Sequence, residues 1–534
     1  MVNLAHVCLT DGGLLSCFWV CLSGPVSSRV LCARVSVVVR MKHYKFLEQV
    51  FAKVCHVIGV VRVLYADDSD SDSKISRICT LREVVQEIVD SEAVAESIDF
   101  ALANKGQLGD WEVANLHCMN RMYKRLRGLP IDLVSGLVKA RVACRMKWMS
   151  FCQGNEPARS VLECLADVVR LSSEAAAMKV EDLGAASKYD VMLGAYDGDL
   201  TTKKMDEVFT DMGAFFRQFA GEVINRQSSS EAHPAKTVAS DKQMALCRHI
   251  ASAVGGGLLE AMCSHRKMDL LSEEGVASSV KRSADDYGEC DYRLALRDVL
   301  ENVGKFLYCS NLPQKWKHQP VGGCPGSMMY EAQGLLMSRH LLRDRGFISF
   351  ILPAMKKLLS IRGKAADVDN IYAHLTEVQP NMLLEKSDEV SSLAHVMLRY
   401  ALEKEIINDD LKVSELPDAW AQGMKYYFDS VPSDDKEGFM QDDYWVSGIF
   451  GYVPCRVVSS VAASQIFAAI KNSKVDVCGG VENGDFSGVV GWLNKHIYSH
   501  GGRYSSTTLL KKITGKRVDV DSYKNYLIGR YLSM

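Results

Sequence analysis

Apolar residues recur every three or four positions along most of the chain. The clearest run is Leu296, Val299, Leu300, Val303, Phe306 and Leu307, which predicts a buried helix. Glu301 and Lys305 lie one turn apart in it, with Gly304 between them. A connection with Trp316 and Gln319-Pro320-Val321-Gly322 comes next, and a second helical run opens at Tyr330-Glu331-Ala332-Gln333. Earlier, Tyr44, Leu47, Val50 and Phe51 predict a helix beginning at Met41. The same period fills most of residues 80–225, with a break at Gly128-Leu129-Pro130, a helix start at Asp110-Trp111 and a loop over Asp190 to Thr202. Asn225 to Asp241 is polar and Ser-rich and reads as a surface connection, with His233-Pro234 a turn.

Residues 1–40 stand apart. Leu14 to Leu22 is largely apolar, but Asp11 precedes it, and Pro25, Arg29 and Arg34 interrupt the stretch after it. A secretory signal needs a basic start, and a membrane span needs about 20 unbroken apolar residues. The chain therefore divides into an N-terminal extension, 1–40, and a remainder, 41–534, long enough for one large core or several smaller ones. The extension is either untranslated or disordered, with initiation at Met41, or a cleaved or membrane-associated leader. The acidic run Asp67-Asp68-Ser69-Asp70-Ser71-Asp72 reads as a loop or solvated cap, because the Gly and closing Glu of a calcium loop are missing.

Composition narrows the class. Of 534 residues 48% are hydrophobic and 24% charged, ordinary values for a globular protein. With 63 basic against 65 acidic residues, no overall field favours nucleic acid or an anionic membrane. Only 12 prolines in this length favour a mainly α fold. The 17 cysteines are scattered without a C-x-x-C pair, which suits reduced thiols and a cytoplasmic location.

Several ordered segments resemble one family. They include Gln319-Pro320-Val321-Gly322, Tyr330-Glu331-Ala332-Gln333, and Ser387-Asp388-Glu389-Val390 with His395-Val396-Met397-Leu398-Arg399 after it. Further matches are Asp409 to Trp420, Gly438 to Trp445, Phe450-Gly451-Tyr452-Val453-Pro454, His500-Gly501-Gly502-Arg503-Tyr504 and Thr514-Gly515. From residue 41 to the end the chain resembles the carboxypeptidase Taq family, zinc metallocarboxypeptidases that trim peptides from the C-terminus. The resemblance implies a large single helical domain with a deep substrate groove and at most a small β-sheet beside the site. It also implies a homodimer and a peptide as partner.

The family's chemistry uses a His-Glu-x-x-His helix, with two imidazole zinc ligands and a Glu general base, and a Glu on a later helix as third ligand. Aligned on Gly304-Lys305-Phe306-Leu307-Tyr308, the two His positions fall on Glu301 and Lys305 and the base on Asn302. Only Glu331, at the third-ligand position, is retained. Asn302 cannot accept a proton, and a positioned base is worth about 10²–10⁴ in rate. An ammonium about 4 Å from a dication costs roughly 8 kcal/mol at an effective dielectric near 20.

Other family motifs are altered too. The Arg of its I-R-x-x-A-D motif falls on Leu384, although Asp388 remains, and the His of its Q-D-x-H-W motif is Tyr444, beside retained Gln441, Asp442 and Trp445. Its His-Pro-Phe segment aligns with His265-Arg266-Lys267 and its strand with Gly275-Val276-Ala277. The resemblance thus assigns substrate contacts to Gln441, Asp442, Tyr444 and Asp388. It implies a hydrolytically inactive homologue without a cofactor; the alternative is an active enzyme using zinc or another divalent metal in an unusual site. Glu301 precedes Lys305 by four residues, the favourable helical order, so the expected arrangement has the Lys305 ammonium between Glu301 and Glu331 where zinc once lay. Cys309, Cys324 and His318 form a weaker candidate metal set, and Asp442-Asp443 reads as a helix cap.

Overall fold

A computed structural model describes residues 27–66, 72–227, 238–255 and 292–533. The acidic run up to Ser71, His233-Pro234, 265–267 and 275–277 lie outside them. Among the described residues the architecture is all helix, with short 3-10 turns and no strand. No helix there is long and apolar enough to cross a membrane.

The periodic runs form helices as the spacing requires. The main ones are Asp110–Leu126, Arg293–Ser310, Ser327–Leu335, Ser391–Ile407 and Cys455–Lys471. The break after Leu126 is real: Gly128 takes φ 66°, a left-handed turn that glycine adopts without a Cβ penalty. Two expectations need correcting. The first helix runs Ser27–Ala66, straight through Met41. The β-branched stretch Val35 to Val39 has low helix propensity, which is why the spacing alone suggests a later start. The segment Asp190 to Thr202 is half helix, because Lys188–Tyr196 is capped by the Ser187 hydroxyl accepting from the Asp190 N–H at 3.1 Å.

Most buried side chains form one core, running from Cys144 to Tyr531 and centred on helices Arg293–Ser310, Ser327–Leu335 and Cys455–Lys471. A smaller core joins Leu47, Phe51 and Val54 of the first helix to Ile98 and Met119. Two glycines set the distance between the first two site helices. A Cβ on Gly304 would lie 2.2 Å from the Gln333 carbonyl oxygen, and one on Gly334 would lie 2.7 Å from Glu301 Cγ. Without side chains at these positions the helices touch backbone to backbone, and Glu301, Lys305 and Glu331 face one another.

The connection between those helices is pinned to the N-terminal part. Trp316 stacks on Trp111 with ring centroids 5.7 Å apart. Buried Asn115 donates to Gln319 Oε1 at 3.0 Å and accepts from the Val321 N–H at 3.3 Å. Beyond Leu335 the chain continues through a wide turn, Leu336–Leu341, where the Leu342 N–H bonds to the Met337 carbonyl five residues back. Such π-type turns re-aim the side chains beyond them.

Candidate active site

Glu331 and Gln333 are fully buried on helix Ser327–Leu335, and Glu301 and Lys305 are each only 4% exposed. The Lys305 ammonium lies 2.7 Å from Glu331 Oε1 and 3.2 Å from Glu301 Oε1. It thus sits between the two carboxylates, and also over the Tyr330 ring at 5.2 Å. A second cation completes the group. Arg456 donates through Nη2 to both oxygens of Glu301, at 3.1 and 3.3 Å, and its Nη1 is 3.7 Å from Glu331 Oε2. The Tyr452 hydroxyl donates to Glu331 Oε1 at 2.6 Å.

Among the described residues two carboxylates therefore face two cations, which balance them. Burial alone would lower the Arg456 pKa, but the Glu301 and Glu331 carboxylates outweigh it and hold the guanidinium well above its ordinary value. A dication could reach Glu331 only by displacing Lys305 and Arg456, so the residues present do not fit a zinc centre of the His-Glu-x-x-His kind. Asn302 is half-buried on the same helix.

Sequence patterns do not single out Arg456 and Tyr452. Tyr452 lies in the quoted Phe450 to Pro454 segment, and Arg456 is one turn further along. The available signal is that Arg456 is the sole charge in its helix before Lys471.

Glu301 and Arg456 form part of the wall of a cleft of about 270 Å³, together with Asp388, Leu384, Asp442 and Tyr444. Each expected substrate contact there has protein partners. Asp388 accepts from the backbone N–H groups of Val390 and Ser391, at 2.8 and 2.9 Å, capping helix Ser391–Ile407. Gln441, outside the wall, accepts from the Leu384 N–H at 2.6 Å and donates to the Gly438 carbonyl at 3.0 Å. Tyr444 is buried with its ring 5.9 Å from that of Tyr452.

Asp442 and Asp443 are not helix caps, since residues 438–448 form turns. Asp442 makes a two-pronged ion pair with fully buried Arg399, at 3.2 and 2.5 Å, and Asp443 pairs with Arg145 at 3.1 Å. Burial pushes the Asp442 carboxyl up to about 6 even against Arg399.

The weaker metal set does not assemble. His318 bonds to His56 on the surface at 2.9 Å. Cys309 is exposed, and burial pushes the Cys324 thiol up to about 12. Among the described residues no three His, Cys, Asp or Glu side chains are grouped to hold a metal ion.

His395, fully buried on helix Ser391–Ile407, bonds through Nε2 to the Asn381 carbonyl at 2.8 Å. Burial lowers its pKa from 6.5 to about 4. Below pH 6.5 the unfolded chain takes up a proton that the folded chain refuses until about pH 4, so stability is lost across that window. The expected loss is roughly 3 kcal/mol. Urea unfolding across this range should show it, and His395→Gln should flatten the slope.

A family model described as "Carboxypeptidase Taq (M32) metallopeptidase" matches residues 62–531. The chain belongs to the carboxypeptidase Taq family. Among the family's curated members, Carboxypeptidase 1 of Bacillus subtilis is 22% identical over 355 residues, 65% of this chain and 69% of that protein. Thermostable carboxypeptidase 1 of Thermus thermophilus is 22% identical over 429 residues, 79% and 83% of the two chains. Among solved carboxypeptidase Taq folds, Trypanosoma cruzi metallocarboxypeptidase 1 superposes with a TM-score of 0.80 at 22% identity, covering 92% of this chain and 100% of that one. At that identity the superposition establishes the shared fold. Membership of the carboxypeptidase Taq family makes this a metallocarboxypeptidase relative.

Proposed function

We propose that this chain is a carboxypeptidase homologue that no longer hydrolyses peptides but keeps a cleft able to receive one. The observation that carries this reading is the Lys305 ammonium, 2.7 Å from Glu331 and 3.2 Å from Glu301. A cation supplied by the protein balances the carboxylates, so the site gains nothing electrostatically from a dication and would lose a buried ion pair by taking one. Asn302 at the general-base position removes the group that would deprotonate a water. By the same reading the chain holds no catalytic metal, and it acts as a cytoplasmic homodimer, for which the support is the family resemblance and the scattered cysteines.

The test is incubation of the purified chain with zinc and a mixture of peptides bearing free C-termini, followed by mass spectrometry. No release of C-terminal residues is expected. Release that disappears in Glu331→Gln would overturn the reading in favour of an active enzyme with an unusual site.

A further inference from the structure

The arginines of the cleft wall are not equivalent. Among the described residues Arg293 pairs with Glu377, Arg297 with Asp298, Arg343 with Glu389 and Arg456 with Glu301. Arg339 is 9% exposed and lines the same cleft, yet no carboxylate of the described residues lies within ion-pair distance of it. Its partners are two hydroxyls. Nη1 donates to Ser460 Oγ at 2.9 Å and Nη2 to Ser392 Oγ at 3.2 Å. Both serines have their own protons committed elsewhere. Ser460 donates to the Arg456 carbonyl at 2.8 Å and Ser392 to the Glu389 carbonyl at 3.0 Å. They therefore act on Arg339 purely as acceptors, fixing the plane of the guanidinium without neutralising it. A guanidinium has five N–H donors, and two are used here. Among the described residues the other three are open to a ligand.

The surroundings are cationic. Glu389, a carboxylate of the same cleft, already accepts from Arg343 at 3.1 Å and from the hydroxyls of Tyr526 and Tyr531 at 3.1 and 2.9 Å. The charges of Arg343, Arg339 and Arg530 all act on this one carboxylate and hold it below the usual range in spite of its burial. The neighbouring His340 is held well below its ordinary value, by burial first and then by the charges of Arg530, Arg343 and Arg339, so it adds no further proton. Three guanidinium groups thus share the one Glu389 carboxylate, and an anionic ligand would offset the excess positive charge.

Arg339 is two turns beyond Glu331 along the same stretch of chain, and Ser460 one turn beyond Arg456. These positions form a second rung between the helices that carry the Glu331–Arg456 contact. We propose that this rung is a carboxylate-binding subsite, in which Arg339, oriented by Ser392 and Ser460, takes the terminal carboxylate of a peptide lying in the cleft. A planar carboxylate matches the two-pronged geometry that a guanidinium offers.

The subsite rests on the peptide-binding reading above, and two arms of one experiment separate them. Calorimetric titration of the full chain uses pooled N-acetylated tetrapeptides with a free C-terminus and the same pool as C-terminal amides. The free acids should bind roughly tenfold or more tightly than the amides, and Arg339→Gln should bring them to the amide level. Equal binding of acids and amides would leave peptide binding standing and overturn the subsite. If neither pool binds, succinate is titrated instead. An increase in melting temperature that is lost in Arg339→Gln would keep the anion subsite while the peptide reading falls. No response to succinate would overturn both. Unfolding of Arg339→Gln at the same midpoint as the parent chain shows that any lost binding is not lost fold.

Discussion

Lys305→Met is expected to lower the free energy of unfolding by about 3–5 kcal/mol at neutral pH, measured by chemical denaturation. Methionine keeps much of the aliphatic length but removes the ammonium that touches both Glu331 and Glu301. Among the described residues Arg456 would then be the one cation left facing two buried carboxylates, with Glu331 Oε2 already lacking a hydrogen-bond donor there in the parent chain. Removing one member of a buried ion pair leaves an uncompensated charge, and that desolvation cost dominates the loss. The double variant Lys305→Met with Glu301→Leu restores the balance of one carboxylate and one cation and should recover part of the deficit. Were these side chains merely solvated charges on an open groove, an i,i+4 pair would be worth only about 0.2–0.5 kcal/mol. A loss of that size in Lys305→Met would contradict the buried-cluster account.

A comparable loss, again about 3–5 kcal/mol, is expected for Arg399→Met. Arg399 is fully buried, joined to Asp442 by two bonds, and its guanidinium lies 4.7 Å from the Trp445 ring centre and 5.4 Å from that of Trp420. The pH dependence carries a sign. Burial already raises the Asp442 carboxyl to about 6 with Arg399 present, and without that cation it rises further. A carboxyl with a folded-state pKa above its unfolded value favours folding when protonated, and that benefit is lost as pH rises through the folded value. The deficit of Arg399→Met should therefore shrink on acidification and grow above neutrality. The variant carrying Asp442→Leu as well should be milder than Arg399→Met alone.

Much of the fold is legible in the sequence because helical periodicity is local. The run from Leu296 to Leu307 and the restart at Tyr330 become helices Arg293–Ser310 and Ser327–Leu335. The Glu301–Lys305 pair is legible for the same reason, being one turn of one helix. What the helices do to one another is not. Gly304 is noticed in the sequence only as lying between Glu301 and Lys305, whereas its role is to admit the Gln333 backbone. Arg456 is 155 positions from Glu301, and no spacing rule connects them. Asp442 and Asp443 read as caps because adjacent carboxylates usually sit at helix starts, yet their partners, Arg399 and Arg145, come from distant helices. The helix Lys188–Tyr196 is missed because Asp190 and Gly194 resemble loop residues, while the Ser187 cap that starts it is a single hydroxyl. Arg339 is likewise silent in sequence, since its partners among the described residues, Ser392 and Ser460, are 53 and 121 positions away.

The central claim is that the protein's own cations have taken the place of a catalytic metal. Elemental analysis tests it most directly, on the purified chain incubated with excess zinc and then freed of unbound metal. The account predicts zinc far below one per chain, and no difference between the parent and Glu331→Gln. One zinc per chain, lost on substituting Glu331, would contradict it and would mean that Lys305 and Arg456 swing aside to admit the metal.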